Sequence, residues 1–212
     1  MAQVVIAVRG GAGAQSRCRR TLSADERAEL AQAMLGDMID AARRCARVTD
    51  VIVVTPTRAI AKFAGECGAI VFLEPAPLGL GAAFQRARQR VSRRNPREIL
   101  ALLPGDLPLL APSDLDRALD AHHKGGVVIA PAFADGGTGA VVVEASTRLA
   151  FSFGAGSFRR HLAAARRVGL RSRIVTAPTL SFDLDRPRDL ARAERLGNSR
   201  TKLFVRSLNR AF

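Results

Sequence analysis

Short apolar runs that each end at a glycine or proline, and that alternate with helical patterns, recur along the whole chain. Residues 4–8 run into a glycine-rich stretch, residues 51–55 end at Pro56, and residues 99–103 end at Pro104. Strands that alternate with helices form mostly parallel sheets covered by helices on both faces. The length of 212 residues suits a single domain. The predicted fold class is therefore α/β, with one mostly parallel, mixed sheet.

The element boundaries follow from local patterns. Ser23 with Glu26 has the spacing of a capping box, and Ser113 with Asp116 predicts a second helix start by the same logic. Beyond Gly197 the chain is basic, so we expect a domain over residues 1–197 and a basic C-terminal tail over residues 198–212. The other predicted strands are residues 69–73, 127–130, 140–143 and 173–176, and the other predicted helices are residues 59–66, 82–91 and 157–167 and the segment after Pro187.

The charge of the chain bears on its partners. A formal net charge of +14, from 33 Lys and Arg against 19 Asp and Glu, attracts polyanions of any kind. Because the chain has no Trp or Tyr and ten Phe, it offers few platforms for stacking bases. Nucleic-acid binding is therefore the less favoured of the two polyanion hypotheses, and nucleotide phosphates are the more favoured.

The compartment is predicted from three features. No apolar run approaches the roughly 18 residues that cross a bilayer, so no membrane partner is expected. The first apolar run has no basic segment before it, which is typical of a first strand and not of a signal peptide. Cys18, Cys45 and Cys67 are widely spaced and odd in number, which suits a reducing compartment. We expect a cytoplasmic protein.

The loops that follow the strands are the places to look for a site, because ligands of such sheets bind beyond the carboxyl ends of the strands. The first loop, residues 10–17, is rich in glycine and ends in Gln15, Ser16 and Arg17. Its backbone N–H groups and Arg17 are suited to cradle a triphosphate. It lacks both the dinucleotide fingerprint and the Gly-Lys-Ser/Thr ending of a P-loop, and a simple flexible connection remains the alternative.

Three carboxylates form a candidate Mg²⁺ site. Asp106 follows a predicted strand and a Pro-Gly turn, and Asp183 and Asp185 lie two residues apart, on one side of an extended backbone. Mg²⁺ prefers carboxylate and phosphate oxygens. Two alternatives remain: Asp106 bonds its own turn, or the other acidic residues serve the helix that begins at Pro187.

The segment 153–158 leads a glycine turn into a helix at Ser157. The N–H groups and dipole of a helix N-terminus suit a phosphate or carboxylate, and Thr138 supplies a hydroxyl to the same acid. Ser157 as a plain N-cap is the alternative. His161, one turn further on, is taken as a surface histidine without a role.

These segments together resemble a known family, the guanylyltransferases of coenzyme F-420 (deazaflavin) biosynthesis, which activate 2-phospho-L-lactate, phosphoenolpyruvate or 3-phosphoglycerate. The resemblance runs through most of the chain, with the motifs in the family's order. They are QSR at 15–17, SADERAELAQAMLGDMIDAA at 23–42, LPGDLPLL at 103–110, GGTGAVVV at 136–143, FGAGSFRRHL at 153–162 and FDLDRPRDL at 182–190.

The resemblance implies a GT-A-like (Rossmann-like) nucleotidyltransferase that transfers GMP from GTP to a phosphorylated acid with release of pyrophosphate. It implies Mg²⁺ at Asp106, Asp183 and Asp185, with Asp106 and Arg17 as the catalytic residues. The residues implied to bind the two substrates are Arg9, Gln15, Ser16, Gly81, Thr138, Gly154 and Ser157.

The chain departs from the family pattern at several positions. Gln15 stands where the family usually has Lys, Arg9 replaces another common Lys, and Thr57 replaces a typical Asp. Gly81 and Gly139 stand where Asn is common. These departures keep a second hypothesis open, a non-catalytic or re-purposed nucleotide-binding homologue. The sequence also leaves open the acid, the nucleotide, a homodimer, and a downstream transferase of the same pathway as a partner.

Overall fold

The computed structural model describes residues 1–9, 15–77, 79–132 and 134–208. One seven-stranded sheet runs through this part of the chain, in the order β3-β2-β1-β4-β6-β5-β7. All strand pairs are parallel except those of β6, which is antiparallel to both β4 and β5. The predicted mixed, mostly parallel sheet is therefore confirmed. The strands are β1 (Ala2–Ala7), β2 (Val48–Thr55), β3 (Ile70–Leu73), β4 (Ile99–Pro104), β5 (Gly126–Ala132), β6 (Gly137–Glu144) and β7 (Arg171–Ile174).

Helices cover both faces of the sheet. One apolar core lies between the sheet and α1, α2 and α4, and the other lies between the sheet and α3 and α5. The central strands are apolar on both sides, since both of their faces are buried. The helices are α1 (Ala24–Arg44), α2 (Arg58–Glu66), α3 (Leu80–Ser92), α4 (Pro112–Asp120), α5 (Ser157–Arg167), α6 (Pro187–Leu196) and α7 (Ser199–Leu208).

The two predicted capping boxes have different outcomes. Ser23 Oγ accepts the N–H of Glu26, and a carboxylate oxygen of Glu26 accepts the N–H of Ser23, so the first is confirmed. The prediction for Ser113 is wrong, because α4 begins at Pro112 after Ala111, which makes no side-chain cap. Proline is well suited to the first helical position, where its missing N–H has no partner to lose.

The segment expected to be a basic tail differs from that prediction. Helix α7 packs on α1, and Asp37 of α1 accepts the N–H groups of Arg200 and Thr201 at 3.0 and 2.8 Å. A carboxylate at the N-terminus of a helix is favourable, because it satisfies free N–H groups and opposes the helix dipole. Val205 is buried in the same contact. Residues 199–208 are thus part of the domain. No helix in the described segments is long and apolar enough to cross a membrane.

Candidate active site

A cavity of about 360 Å³ opens at the edge of the sheet where β1 and β4 end. This is the edge at which ligands of open α/β sheets bind. Of the candidate residues, Ser157 and Gly81 do not line the cavity, whereas the following do: Arg9, Gln15, Ser16, Arg17, Asp106, Thr138, Gly154, Asp183 and Asp185.

One backbone hydrogen bond brings the three predicted metal-binding carboxylates together. The N–H of Leu184 donates to the carbonyl oxygen of Asp106 at 2.9 Å, so the segment before α6 lies against the end of β4. The side chain of Leu184 is buried, and the flanking Asp183 and Asp185 both line the cavity. The expected i, i+2 arrangement is therefore present.

Asp106, Asp183 and Asp185 are partly or fully buried, and their negative charges repel one another. Burial, followed by the negative charges of Asp183 and Asp185, raises the pKa of Asp106 to about 7. Burial and Asp185 likewise raise the pKa of Asp183. The Oδ1 atom of Asp106 is buried without a hydrogen-bond partner among the described residues. An unpaired buried acceptor in a group of like charges favours a cation as its partner.

A fourth carboxylate, Asp135, belongs to the same group, and sequence reasoning missed its role. Its negative charge raises the pKa of Asp106, Asp183 and Asp185. Its Oδ1 accepts the N–H of Gly137 at 2.8 Å, in the manner of the Asp-Gly turn that the sequence shows. In the sequence Asp135 has the pattern of an ordinary turn residue, and nothing in that pattern indicates that it lines the cavity. These four residues are called the carboxylate cluster below.

Arg17 meets the carboxylate cluster directly. Its guanidinium forms an ion pair with Asp185, and this lowers the pKa of Asp185 against the larger effect of burial. Arg17 sits in a short 3-10 helix, Ser16–Cys18, that follows Gln15. Gln15 has φ of 45°, the left-handed region that non-glycine residues seldom adopt, and its Oε1 is buried without a partner among the described residues. Residues 10–14 of the predicted phosphate loop lie outside the described residues.

The predicted Mg²⁺ site is compatible with these side chains but is not a preformed cage. Within the described segments, no three His, Cys, Asp or Glu side chains converge closely enough to hold an ion by themselves. Mg²⁺ in nucleotide sites commonly takes one or two carboxylates and completes its shell with phosphate oxygens and water. Asp106 Oδ1, which has no hydrogen-bond partner among the described residues, is suited to be such a carboxylate ligand.

The alternative role for the acidic residues, at the start of α6, falls to a different residue. Asp189 accepts the N–H groups of Asp185 and Arg186 through Oδ2, at 3.1 and 2.8 Å. It therefore caps α6 and fixes the backbone at Asp185. Asp183 and Asp185 are not needed at that helix terminus.

A second polar group lies on the wall formed by β6 and α5. Thr138, Ser157 and His161 are all buried, and Thr138 Oγ1 lies 3.0 Å from both Ser157 Oγ and His161 Nδ1. Phe153 packs edge-on against the imidazole. We call the three residues the hydroxyl cluster.

The backbone fixes the proton positions in the hydroxyl cluster. The N–H of Ser152, which can only donate, points at Nε2 of His161 at 3.0 Å. Nε2 must therefore accept, and the neutral ring carries its proton on Nδ1, next to Thr138. Burial, with a smaller effect of Arg160, lowers the pKa of His161 to about 4. Since Thr138 Oγ1 accepts from His161 and Ser157, its own hydroxyl proton is free for an acceptor in the cavity. The expectation that His161 is a surface residue is wrong.

The start of α5 differs from the predicted anion site. The N-cap residue is Gly156, so Ser157 is not the cap. The N–H groups of Gly156, Ser157 and Phe158 donate to the carbonyls of Asp135, Gly154 and Gly136, which leaves these three amides engaged. Thr138 and Gly154 line the cavity, so on this wall a side-chain hydroxyl and a glycine turn face the ligand space.

Close backbone contacts account for two departures from the family pattern. A Cβ atom on Gly81 would clash with the carbonyl oxygen of Phe151, and one on Gly139 would clash with that of Leu180. Neither position admits the Asn that the resemblance expects unless the facing backbone moves. Leu80, next to Gly81, lines the cavity, and the substrate-binding role of Gly81 stays a prediction.

Similarity to known proteins agrees with this site. Residues 2–211 match the model of the family described as guanylyl transferase CofC like. The chain is 43% identical over 197 residues to a 3-phospho-D-glycerate guanylyltransferase from Phenylobacterium zucineum, covering 92% of this chain and 90% of the relative. It is 40% identical over 194 residues to a phosphoenolpyruvate guanylyltransferase from Rubrobacter xylanophilus, covering 91% and 93%.

A solved structure supports the fold independently. A nucleotidyl transferase from Methanothermobacter thermautotroptrophicus superposes with a TM-score of 0.67 at 20% identity, over 98% of this chain and 99% of that one. At this identity the likeness concerns the fold alone, and it agrees with the predicted single α/β domain. Because the family model matches nearly the whole length of the chain, the chain belongs to the CofC-like guanylyl transferase family.

Proposed function

We propose that the protein transfers GMP from GTP to the phosphate of a phosphorylated three-carbon acid and releases pyrophosphate. The observation that carries the proposal is that one cavity is lined both by the carboxylate cluster and by Thr138. Within the part of the chain that the structure describes, Asp106 Oδ1 of that cluster has no hydrogen-bond partner. The names of the 43% and 40% identical relatives support the same reaction.

The chemistry requires a nucleophile, a leaving group and neutralisation of charge. A phosphate oxygen of the acid attacks the α-phosphorus of GTP in line, a P–O bond forms, and the bond to the β-phosphate oxygen breaks. No covalent intermediate with the protein is needed. Asp106, Asp183 and Asp185 would hold Mg²⁺, which when bound neutralises charge on the phosphates.

The chain's own residues orient the substrates. Arg17 places a permanent positive charge beside Asp185, where it is suited to a phosphate group in a charge-assisted hydrogen bond. The Thr138 hydroxyl, held by His161 and Ser157, donates to an oxygen of the acid. Gly154, with φ of 102°, lets the backbone approach that acid without a side chain in the way.

The acceptor and the biological setting complete the proposal. The candidate acids are 3-phosphoglycerate, phosphoenolpyruvate and 2-phospho-L-lactate, and 3-phosphoglycerate is the first to test because the 43% identical relative is named for it. We place the reaction in coenzyme F-420 biosynthesis in the cytoplasm, upstream of a transferase that consumes the guanylylated acid. A homodimer is part of the same proposal.

The test measures pyrophosphate release by the purified protein with Mg²⁺, for each of four nucleoside triphosphates paired with each acid. We expect a signal with GTP and one acid, and none when the acid or Mg²⁺ is omitted. If every pair is silent while GTP still binds, the proposal fails. The departure at Gln15 and the engagement of Arg17 by Asp185 would then favour a nucleotide-binding homologue without this activity.

A further inference from the structure

A second, narrower cleft adjoins the main cavity beyond the ends of β1 and β2. The two share Ala7, Val8, Arg9 and Leu80 as lining residues, so they lie side by side. The cleft has a volume of about 10 Å³, which is room for one water molecule, and it must widen to admit a base. The feature of this cleft that the proposed chemistry does not use is Glu74, which follows the last residue of β3.

Glu74 is a buried carboxylate with an unused acceptor. Its side chain is 7% exposed, and its Oε1 has no hydrogen-bond partner among the described residues. Arg86 of α3 lies 3.6 Å from Oε1, close enough for an ion pair but too long for a good hydrogen bond. Burial raises the pKa of Glu74, and the Arg86 guanidinium has a smaller, opposite effect that favours the ionised carboxylate, the form that only accepts hydrogen bonds.

The strand register places Glu74 in the same row as the carboxylate cluster. Leu73 pairs with Thr55 on β2, and Ala7 of β1 pairs with Val54 and Pro104. Glu74 and Asp106 therefore both follow the carboxyl edge, three strands apart, which is about 14 Å at ordinary strand spacing. A nucleotide whose phosphates lie at Asp106 spans a distance of this order to the edge of its base.

A carboxylate discriminates among bases by the donors they present. Guanine has two adjacent donors on its Watson–Crick edge, N1–H and the 2-amino group. Adenine and cytosine each present one amino donor next to a ring-nitrogen acceptor, and uracil presents N3–H between two carbonyl acceptors. In each case an acceptor would face one of the carboxylate oxygens and repel it. A buried carboxylate can accept two parallel hydrogen bonds, and a site built this way rejects partners that leave it unpaired.

We infer that Glu74 selects guanine, with its carboxylate accepting hydrogen bonds from N1–H and from the 2-amino group of the base. This inference rests on the proposed guanylyl transfer, and it assigns the choice of nucleotide to a residue outside the catalytic cavity. The ion pair with Arg86 then serves to hold the carboxylate ionised and oriented.

The experiment compares GTP with inosine triphosphate, which keeps N1–H but lacks the 2-amino group. For the wild type, we expect kcat/KM to be about 10-fold or more higher with GTP, as for a hydrogen bond to a charged group. Glu74→Gln should lower kcat/KM for GTP by about 10- to 100-fold and bring the ratio of the two nucleotides close to one. The Kd of each nucleotide, from calorimetry, should change in the same sense.

Arg86→Gln is the matched control, since it removes the same ion pair but keeps the carboxylate. At pH 8 this variant should retain the preference for GTP. A structural role for Glu74 would weaken both nucleotides equally in both variants and leave their ratio unchanged, which would overturn the inference. If the wild type turns over no nucleotide, the proposed function fails instead, so the two failures are distinguishable.

Discussion

The carboxylate cluster and the hydroxyl cluster face the same cavity but treat their polar atoms differently. In the hydroxyl cluster the donors of Ser152, His161 and Ser157 each have an acceptor, and the backbone N–H of Ser152 sets the direction of these hydrogen bonds. In the carboxylate cluster the side chains repel one another, and Asp106 Oδ1 is left without a partner among the described residues. The first is organised in advance, whereas the second is completed by a ligand.

The two clusters also differ in what they contribute to the stability of the folded protein. A satisfied buried network contributes to folding and orientation at once, because breaking it leaves polar groups unpaired. A cluster of like charges costs folding free energy, and it persists where its electrostatic strain serves a function. The two clusters should therefore respond in opposite ways to mutation and to pH.

The largest expected effect is on turnover. Asp106→Ala and Asp106→Asn should each lower kcat on the order of 10³-fold, since a metal ligand at phosphoryl transfer contributes several kcal/mol. Without divalent cations, Asp106→Asn should unfold at a higher temperature than the wild type, because a buried repelled charge is removed. Pyrophosphate release and thermal melts measure the two effects.

The pH dependence of that stability gain has a defined sign. The pKa of Asp106 is raised to about 7, so its ionisation destabilises the folded state above that pH, and the cost is relieved as pH falls toward the unfolded value near 4. The gain from Asp106→Asn should be greatest above pH 7 and absent below about pH 4. A gain that is independent of pH would contradict the electrostatic account.

The stability contributed by the hydroxyl cluster should change with pH in the opposite direction, decreasing as the pH falls. The pKa of His161 is lowered to about 4, so the folded state resists protonation while the unfolded state takes up a proton near 6.5. The stability that depends on neutral His161 is complete above pH 6.5 and lost as pH falls to 4, on the order of 3 kcal/mol. Urea unfolding of the wild type and of His161→Gln between pH 7 and 4 measures it.

His161→Gln is informative because Gln keeps a donor and an acceptor but does not titrate. Its unfolding free energy should fall less steeply with acid than that of the wild type. Arg160 is the charged neighbour that also lowers the pKa, so Arg160→Gln should preserve most of the dependence. Parallel curves for the wild type and His161→Gln would remove His161 from the explanation.

The smallest expected effect is on the free energy of unfolding, when the hydrogen bonds that hold the backbone at Asp185 are removed. Asp189→Ala removes the acceptor for the N–H groups of Asp185 and Arg186 and should lower the unfolding free energy by about 1 kcal/mol, as for a lost cap. Turnover should fall far less than in Asp106→Ala. Asp25→Ala, in the exposed first turn of α1, is the control. A loss of turnover equal to that of Asp106→Ala would make Asp189 part of the site itself.

Local patterns predicted much of the fold. The alternation of apolar runs and helical segments gave the parallel sheet, and the Ser23–Glu26 spacing gave the start of α1, because these signals depend on neighbours within a few residues. Helix α7 was missed because its partner, Asp37, lies 164 residues from Thr201. The start of α4 was misplaced because Pro112 outweighed the capping pattern at Ser113.

The candidate site divides in the same way. The sequence by itself singled out Asp106, because the loop after a parallel strand opens at one known edge of the sheet. It singled out Asp183 and Asp185 by their i, i+2 spacing on an extended backbone. Only the tertiary structure decided that Asp135 joins them, that His161 is buried next to Thr138, and that Glu74 Oε1 has no hydrogen-bond partner among the described residues. Burial and hydrogen-bond pairing depend on segments distant along the chain, so no local pattern contains them.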